Sequence, residues 1–599
     1  FFCQTMVLLR DRASSFSKFY VGAGLAACLV LGGGLLINCF HGWFPVNYRG
    51  TSPRTTRPGT EKSFHDKNRG AHCAAACPGT TERPVIVIGA GISGIAAAQE
   101  LRRMHCPVKV IEAKKHIGGR MYGEVQEGGW TFNHGANWIH GSFPNPIWAL
   151  NVQEQIVRTQ WLPRTYYAEL DNGSIHREYG NDSYVPGQAL RMQWDNFTKT
   201  HAQFQQWMTV ACQGSFNSHD KPLTFFVEEY LKGRNTSEQM LERFLLYFNV
   251  YMTLDIAMDL FAASMVNLLT RSYNFDKEFM VIDPYSKIVE RLARDVDIVL
   301  EEPISVIEYD DDGVRIQSRS GNVYLGTVAI VTVPIGVLNT PDIMFKPPLP
   351  PWKQRTIANM DMGLLEKIAF VFDEPWWERA GAHEDAFWRV KQDEHNGFRS
   401  TASEWYNLHN LLNKSMPPVL LTTPGGYYAD SLEFATDDEI ISIFHSELQG
   451  IFPDIVVPQP SRMIRTRHRQ DEFMRGSYFS PRVGTDPLSM NYLAEPVADR
   501  IFFAGEATST TRFGYVDGAY VSGLRAVTRA LDLCRAAYWP LPMQWQELDE
   551  VRPPEEMRLR REWRSEVQDV LDFSIHDCDI GMVGAEGKSQ SIMSEQTHL

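Results

Sequence analysis

Four consecutive apolar residues, Val85-Ile86-Val87-Ile88, run directly into Gly89-Ala90-Gly91-Ile92-Ser93-Gly94, and this junction constrains the fold more than any other stretch of the chain. The apolar run suits a strand buried on both faces, and Ile95 to Arg103 reads as a helix, which leaves the glycines on the connecting turn. Gly89 permits the tight bend, Gly91 lets backbone amides reach a pyrophosphate at the helix N-terminus, and Gly94 lets helix and strand pack closely. Val108-Lys109-Val110-Ile111 supplies a second strand ending in Glu112, where a carboxylate can accept ribose hydroxyl protons and disfavours a 2′-phosphate. The unit reads as a dinucleotide site, with a ligand-free βαβ unit as the bland alternative.

The next segment distinguishes one dinucleotide from another. Gly118-Gly119-Arg120 combines close backbone approach with a guanidinium that can neutralise a pyrophosphate, and Gly135-Ala136-Asn137-Trp138-Ile139-His140-Gly141 follows. Far downstream come Phe502-Phe503-Ala504-Gly505-Glu506 and then Gly514-Tyr515-Val516-Asp517-Gly518-Ala519-Tyr520-Val521-Ser522-Gly523. With these motifs in this order, the chain resembles the flavin-containing amine oxidases, most closely the polyamine oxidases, over roughly Pro84 to Leu531. The resemblance implies an α/β fold, a Rossmann-like FAD-binding domain interleaved with an α+β substrate domain. It implies FAD on the Gly119 and Arg120 turn, an isoalloxazine lined by Ala136, Asn137 and Trp138, and Gly505 and Glu506 at the ribityl chain and phosphates. Val306 matches a backbone contact to adenine, and Val516 a backbone donor to the flavin O2/N1 edge. Ser509 to Tyr515 contains no cysteine, so FAD is expected to be noncovalent. The run Gly518, Ala519, Ser522 and Gly523 also fits plain tight helix packing.

Lys367 stands at the entry to an apolar strand that is read as Leu364 to Phe372. A buried ammonium costs several kcal/mol unless it is paired or loses its proton. In the family this lysine holds a water against flavin N5; a strand-edge lysine that snorkels to solvent is the alternative. The resemblance further implies a two-ring aromatic wall, for which Tyr515 and Tyr478 are candidates, and hydride transfer from a neutral amine, with O2 reduced to hydrogen peroxide. His140 is the candidate for orienting the amine or relaying its proton, or else is a structural histidine. Asp255 and Asp259 lie where carboxylates could meet a cationic, spermine- or spermidine-like substrate. His468 departs from the family, which usually has tryptophan there. A histone demethylase, an amino acid oxidase, a monoamine oxidase and a non-catalytic membrane-tethered flavoprotein remain as alternatives.

The net charge of −14 over 599 residues makes nucleic acid an improbable partner. The nine cysteines show neither metal spacing nor a disulfide framework, so no metal site is expected. Residues 19–40 carry no charge, and as a helix they would span about 33 Å, enough to cross a bilayer. Arg10, Arg12 and Lys18 precede the span, so a signal anchor would leave residues 1–18 cytosolic and place the catalytic body in a lumen or outside the cell; a secreted or organelle-targeted form is the alternative. Sequons at Asn172, Asn181, Asn196, Asn235 and Asn413 agree with lumenal exposure. The expected order continues with a linker (41–83) and FAD-domain segments at 84–148, 272–334 and 461–535. Substrate-domain segments at 149–271 and 335–460 alternate with them, and a C-terminal extension (536–599) carries an amphipathic helix over Pro554 to Phe573.

Overall fold

The computed structural model describes residues 77–531, with gaps at 78, 143–144, 163–219, 234–237, 270–277, 381–385, 393–399, 413 and 415. The expected membrane span 19–40, the segment before it, most of the linker, the C-terminal extension and all five sequon asparagines lie outside the described residues. Among the described residues, no helix is long and apolar enough to cross a membrane.

A five-stranded sheet carries the glycine junction. Val85–Ile88 pairs in parallel with Val108–Ile111 on one side and Ala329–Val331 on the other; Ile501–Phe503 lies beyond Ala329–Val331, and Ile298–Val299 closes the opposite edge. The two distant motifs therefore share one sheet, separated by a single strand. Both faces of Val85–Ile88 are buried, as parallel packing requires. Val85 and Val87 face a core with Ile95, Leu101 and Val527, while Ile86 and Ile88 face one with Leu260, Ile307 and Phe503. Each such side chain removed from water contributes about 1.5–3 kcal/mol.

The helix spans Ile92–Arg103, so it starts three residues earlier than the apolar pattern suggested, and Gly94 lies in its first turn rather than before it. Close contact explains this: a Cβ on Gly94 would sit 2.0 Å from the Gly89 carbonyl oxygen. The helix Val516–Leu531 packs against it, with Ser93 Oγ 3.1 Å from Ser522 Oγ, and a Cβ on Gly523 would meet Ser93 O at 2.1 Å. Tight packing and a flavin-facing N-terminus are thus compatible uses of one small-residue run.

A second five-stranded sheet runs in the order Ala386–Gln392, Ser400–Asn407, Val419–Thr422, Ile368–Val371, Arg462–Arg465. Its last strand falls beyond the boundary expected at residue 460, because Arg462–Arg465 pairs antiparallel with Ile368–Val371 and belongs to this sheet. The strand expected over Leu364 to Phe372 shortens to Ile368–Val371, leaving Lys367 immediately before it. The hairpin of Ile304–Asp310 with Gly313–Ser318 and the helix Ser286–Leu292 lie within residues 272–334. Among the described residues a disulfide, Cys77–Cys106, departs from the expectation of no disulfide framework; the spacing of these cysteines matches no motif, and the fold alone brings them together.

Candidate active site

Two glycine turns build a cradle at the C-terminal end of Val85–Ile88. Gly89 has φ +105°, and a Cβ there would lie 2.5 Å from Thr332 Oγ1. Gly91 forms the N-cap of the helix without a side-chain cap, and a Cβ on it would meet no atom within 4 Å. The first-turn amides thus face an uncrowded space, the arrangement that receives a phosphate. Gly118 bridges Gly91, and a Cβ on Gly119 would lie 3.4 Å from the Gly91 Cα, which brings the GGR turn against the first. Glu112 is buried beside them. Its Oε2 accepts from Ala90 N at 2.6 Å and its Oε1 from Lys114 N at 2.9 Å, and burial raises its pKa.

The far motif closes on the same cradle. Arg120 Nη1 donates to Glu506 Oε1 at 2.8 Å and to Ser477 O at 3.1 Å. Glu506 also accepts from Phe479 N on Oε1 and from Gly514 N on Oε2. The expected role of Glu506 was hydrogen bonding to the ribityl chain and phosphates, and the structure shows it tying three protein segments together. Gly505 has φ +121° and open space where a Cβ would project, and a cavity lined by Arg120, Pro334, Gly505 and Glu506 runs alongside. Gly514 has φ +77° and turns the chain into Val516, the first residue of the helix Val516–Leu531. Val306 lies half-buried in the hairpin strand, opposite Gln317.

Lys367 is 7% exposed, which removes the snorkelling alternative. Its Nζ donates to Asn133 O at 2.9 Å, and burial lowers its pKa to about 7. Asn133 precedes the Gly135 to Trp138 segment, and Ala136 N donates to Arg120 O, so the lysine sits beside the chain that also carries Arg120. Ser477 links them a second way: its Oγ accepts from Leu365 N, and its carbonyl accepts from Arg120. His468, at the position where the family usually has tryptophan, is buried with Nε2 3.0 Å from His134 O, one carbonyl along from the lysine's acceptor. A carbonyl only accepts, so Nε2 carries the proton. Burial, with the Lys367 charge next, lowers the His468 pKa to about 3. Glu366 accepts from the His468 N–H and from the Thr466 hydroxyl; burial and then Glu433 raise its pKa to about 8.

An aromatic and acidic group forms around Asp255. Tyr515 OH donates to Asp255 Oδ1 at 3.0 Å, and Tyr478 OH reaches Leu254 O at 3.1 Å and Asp255 O at 3.3 Å. The two candidate wall residues thus converge on one acidic residue. The His140 ring is 5.0 Å from the Tyr515 ring, and the Arg512 guanidinium lies 4.6 Å from the Tyr515 ring centroid. Asp259 is placed elsewhere. It is buried and accepts from Asn249 Nδ2 and Tyr427 N, a structural role rather than a substrate contact. Trp138 packs near Tyr406, and Asn137 O accepts from Val281 N. Sequence reading missed Glu278, whose Oε2 is 2.8 Å from His140 Nδ1, and Arg512, which pairs with Asp517 at 2.6 Å. Glu278 acts across 138 positions, whereas the Arg512–Asp517 pair is local, and an arginine five residues before an aspartate around Gly514 was a usable cue.

A family model described as flavin containing amine oxidoreductase matches residues 92–531. The chain belongs to this family. This amine oxidoreductase is 28% identical to "Polyamine oxidase 4" of Oryza sativa subsp. japonica, an alignment covering 75% of this chain and 88% of that protein. It is 26% identical to "Polyamine oxidase 2" of Arabidopsis thaliana over 78% of this chain and 92% of that one. It is also 27% identical to "Lysine-specific histone demethylase 2" of Homo sapiens over 75% of this chain, but spans about half of the demethylase, 53% of its length. The cofactor is FAD. The uncapped helix N-terminus at Gly91, the open faces of Gly91 and Gly505 and the cavity beside Arg120 fit it, with Gly89, Gly91, Gly94, Gly119, Arg120 and Gly505 as the residues that would hold it.

Proposed function

We propose that this oxidoreductase is a polyamine oxidase that uses O2. The observation that carries the reading is the meeting of Tyr515 and Tyr478 at Asp255, two aromatic rings and a carboxylate in one place, which suits an alkylammonium chain. When bound, FAD would supply the two-electron acceptor for oxidation of the amine at its α-carbon, with O2 as the terminal oxidant reduced to hydrogen peroxide.

The protein's own residues handle charge. A substrate amine must be neutral before it can yield hydride, and deprotonation from a pKa near 10.4 at pH 7 costs about 4.6 kcal/mol. Asp255 and the aromatic rings bind the cation, and His140 takes up or orients its proton. Lys367, held to Asn133 O with a pKa near 7, exchanges between charged and neutral forms at working pH and can position the water that hydrolyses the imine.

The test is to incubate the purified FAD-loaded protein with spermine, spermidine, their N-acetyl forms, monoamines, amino acids and a methyl-lysine peptide, reading peroxide and products. Peroxide from the polyamines supports the reading; peroxide only from methyl-lysine or amino acids overturns it, and none from any amine indicates a non-catalytic flavoprotein.

We also propose that residues 19–40 anchor the chain with its body in an oxidising compartment. The uncharged run supports this, and so does the Cys77–Cys106 disulfide, since such bonds persist where thiols are not kept reduced. Protease protection in microsomes checks it; a body digested without detergent would count against it.

A further inference from the structure

We infer that Glu278 is a positioning residue that fixes which nitrogen of His140 carries the proton. The inference rests on the reading of His140 as the amine-side group. His140 ends the strand Trp138–His140, Glu278 begins the antiparallel strand Glu278–Val281, and the two residues are direct cross-strand partners. Directly opposed side chains lie on the same face of the sheet, so the contact is written into the register. His140 Nδ1 lies 2.8 Å from Glu278 Oε2. An ionised carboxylate only accepts, so Nδ1 carries the hydrogen.

The backbone holds the ring's mount as firmly. His140 O accepts from Asn145 Nδ2 at 2.9 Å and from Arg512 Nη2 at 3.4 Å, and Arg512 is itself held by Asp517. The imidazole is thereby set beside the Tyr515 ring, whose hydroxyl is bound to Asp255. With Nδ1–H committed to Glu278, the neutral imidazole carries its lone pair on Nε2, which is the form of the ring able to accept a proton or hydrogen bond from an ammonium substrate. The opposite tautomer would present an N–H to that substrate and repel it. Glu278 does not touch the amine in this scheme; it selects the form of His140 that can.

The experiment uses the full-length FAD-loaded protein labelled with 15N-histidine, without substrate, at alkaline pH where imidazole is neutral. The His140 signals are identified by their loss in His140→Asn. The expected wild-type spectrum shows a protonated Nδ1 and an unprotonated Nε2. Glu278→Gln keeps an acceptor oxygen and should retain that tautomer, whereas Glu278→Leu should move the proton to Nε2 and lower kcat/KM about tenfold or more, with FAD content unchanged. A wild-type His140 protonated on Nε2 overturns the inference, as does an unchanged tautomer in Glu278→Leu. Should Glu278→Leu fail to retain FAD, the wild-type and Glu278→Gln spectra decide. Because the tautomer is read without substrate, a failure of amine turnover sinks the functional reading and leaves this measurement standing.

Discussion

Arg120 and Glu506, 386 residues apart in the chain, meet in a 2.8 Å ion pair that joins the GGR turn to the far motif. Glu506 is 4% exposed and also accepts the amides of Phe479 and Gly514. Removing one partner of such a pair leaves a charge and two amides without their acceptor, which costs about 3–5 kcal/mol. Glu506→Ala should therefore lower stability by about that amount and release FAD. The ratio of flavin to protein absorbance, with a thermal melt read by flavin fluorescence, checks it; full FAD occupancy at an unchanged Tm would remove Glu506 from this role.

Lys367→Met should keep FAD bound while flavin reduction by the amine slows by about 10²-fold or more. The same variant carries a stability signature. The folded-state pKa of Lys367 is lowered to about 7, so between pH 7 and its ordinary value of 10.5 the unfolded chain binds more protons and wild-type stability rises with pH. Below pH 7 the lysine is charged in both states, and its burial penalty, on the order of several kcal/mol, is fully present. Lys367→Met should be more stable than wild type at pH 6, with the gap closing towards pH 10. Denaturant titrations at several pH values measure it, and a gap independent of pH would show that the lysine is not desolvated.

Residues close in sequence were the legible part of this site. The turn chemistry of Gly89 to Gly94 and the apolar run before it are local, so both read directly; only the helix start moved, since Gly94 is selected by a carbonyl 2.0 Å from where its Cβ would be. Lys367 was legible because an ammonium beside apolar residues is costly wherever the chain puts it. The partners were not legible. Asn133 O and His134 O are brought to Lys367 and His468 by packing between separate sheets, and Glu278 to His140 by strand register, across 234, 334 and 138 positions, and no periodicity encodes that. Asp255 and Asp259 show the same limit: they lie four residues apart, yet one meets the tyrosines and the other is taken by Asn249 and Tyr427.

The Cys77–Cys106 bond closes a loop with a sequence separation of 29. Constraining a loop of that size in the unfolded chain stabilises the fold by about 3–4 kcal/mol on the chain-entropy account. Cys77→Ser, or reductant added to the wild type, should lower Tm accordingly while leaving the flavin spectrum unchanged. Equal melts with and without reductant would show that the bond contributes little.

His468→Trp restores the residue usual in the family and keeps an N–H donor for His134 O while removing a titrating group. The folded pKa of His468 is lowered to about 3, so between pH 6.5 and about 3 the unfolded chain binds the extra proton and wild-type stability falls as pH falls. The variant should lose that contribution, flattening the slope of stability against pH by up to about 1.4 kcal/mol per pH unit in this window. Added bulk can cost about 1–3 kcal/mol at all pH values, which displaces the curve without changing its slope. Parallel curves for the two proteins would mean that His468 is not held neutral.

Glu366 titrates in the opposite sense to the lysine next to it. Burial, then the neighbouring Glu433, raises its pKa from 4.5 to about 8, so the folded chain binds the extra proton across that range and stability falls as pH rises through it. Glutamine mimics the protonated acid, with one acceptor oxygen and a donor in place of the carboxyl proton. Glu366→Gln should therefore match wild type near pH 5 and exceed it increasingly up to about pH 8, where wild type must ionise a carboxyl buried against Glu433. Thr466 Oγ1, which donates to Glu366, also accepts the Lys367 amide at 2.8 Å, so the carboxyl and the lysine backbone share one hydroxyl. Chemical denaturation between pH 5 and 9 reads the difference, and a variant that loses stability relative to wild type as pH rises would show that Glu366 is ionised in the native state at neutral pH.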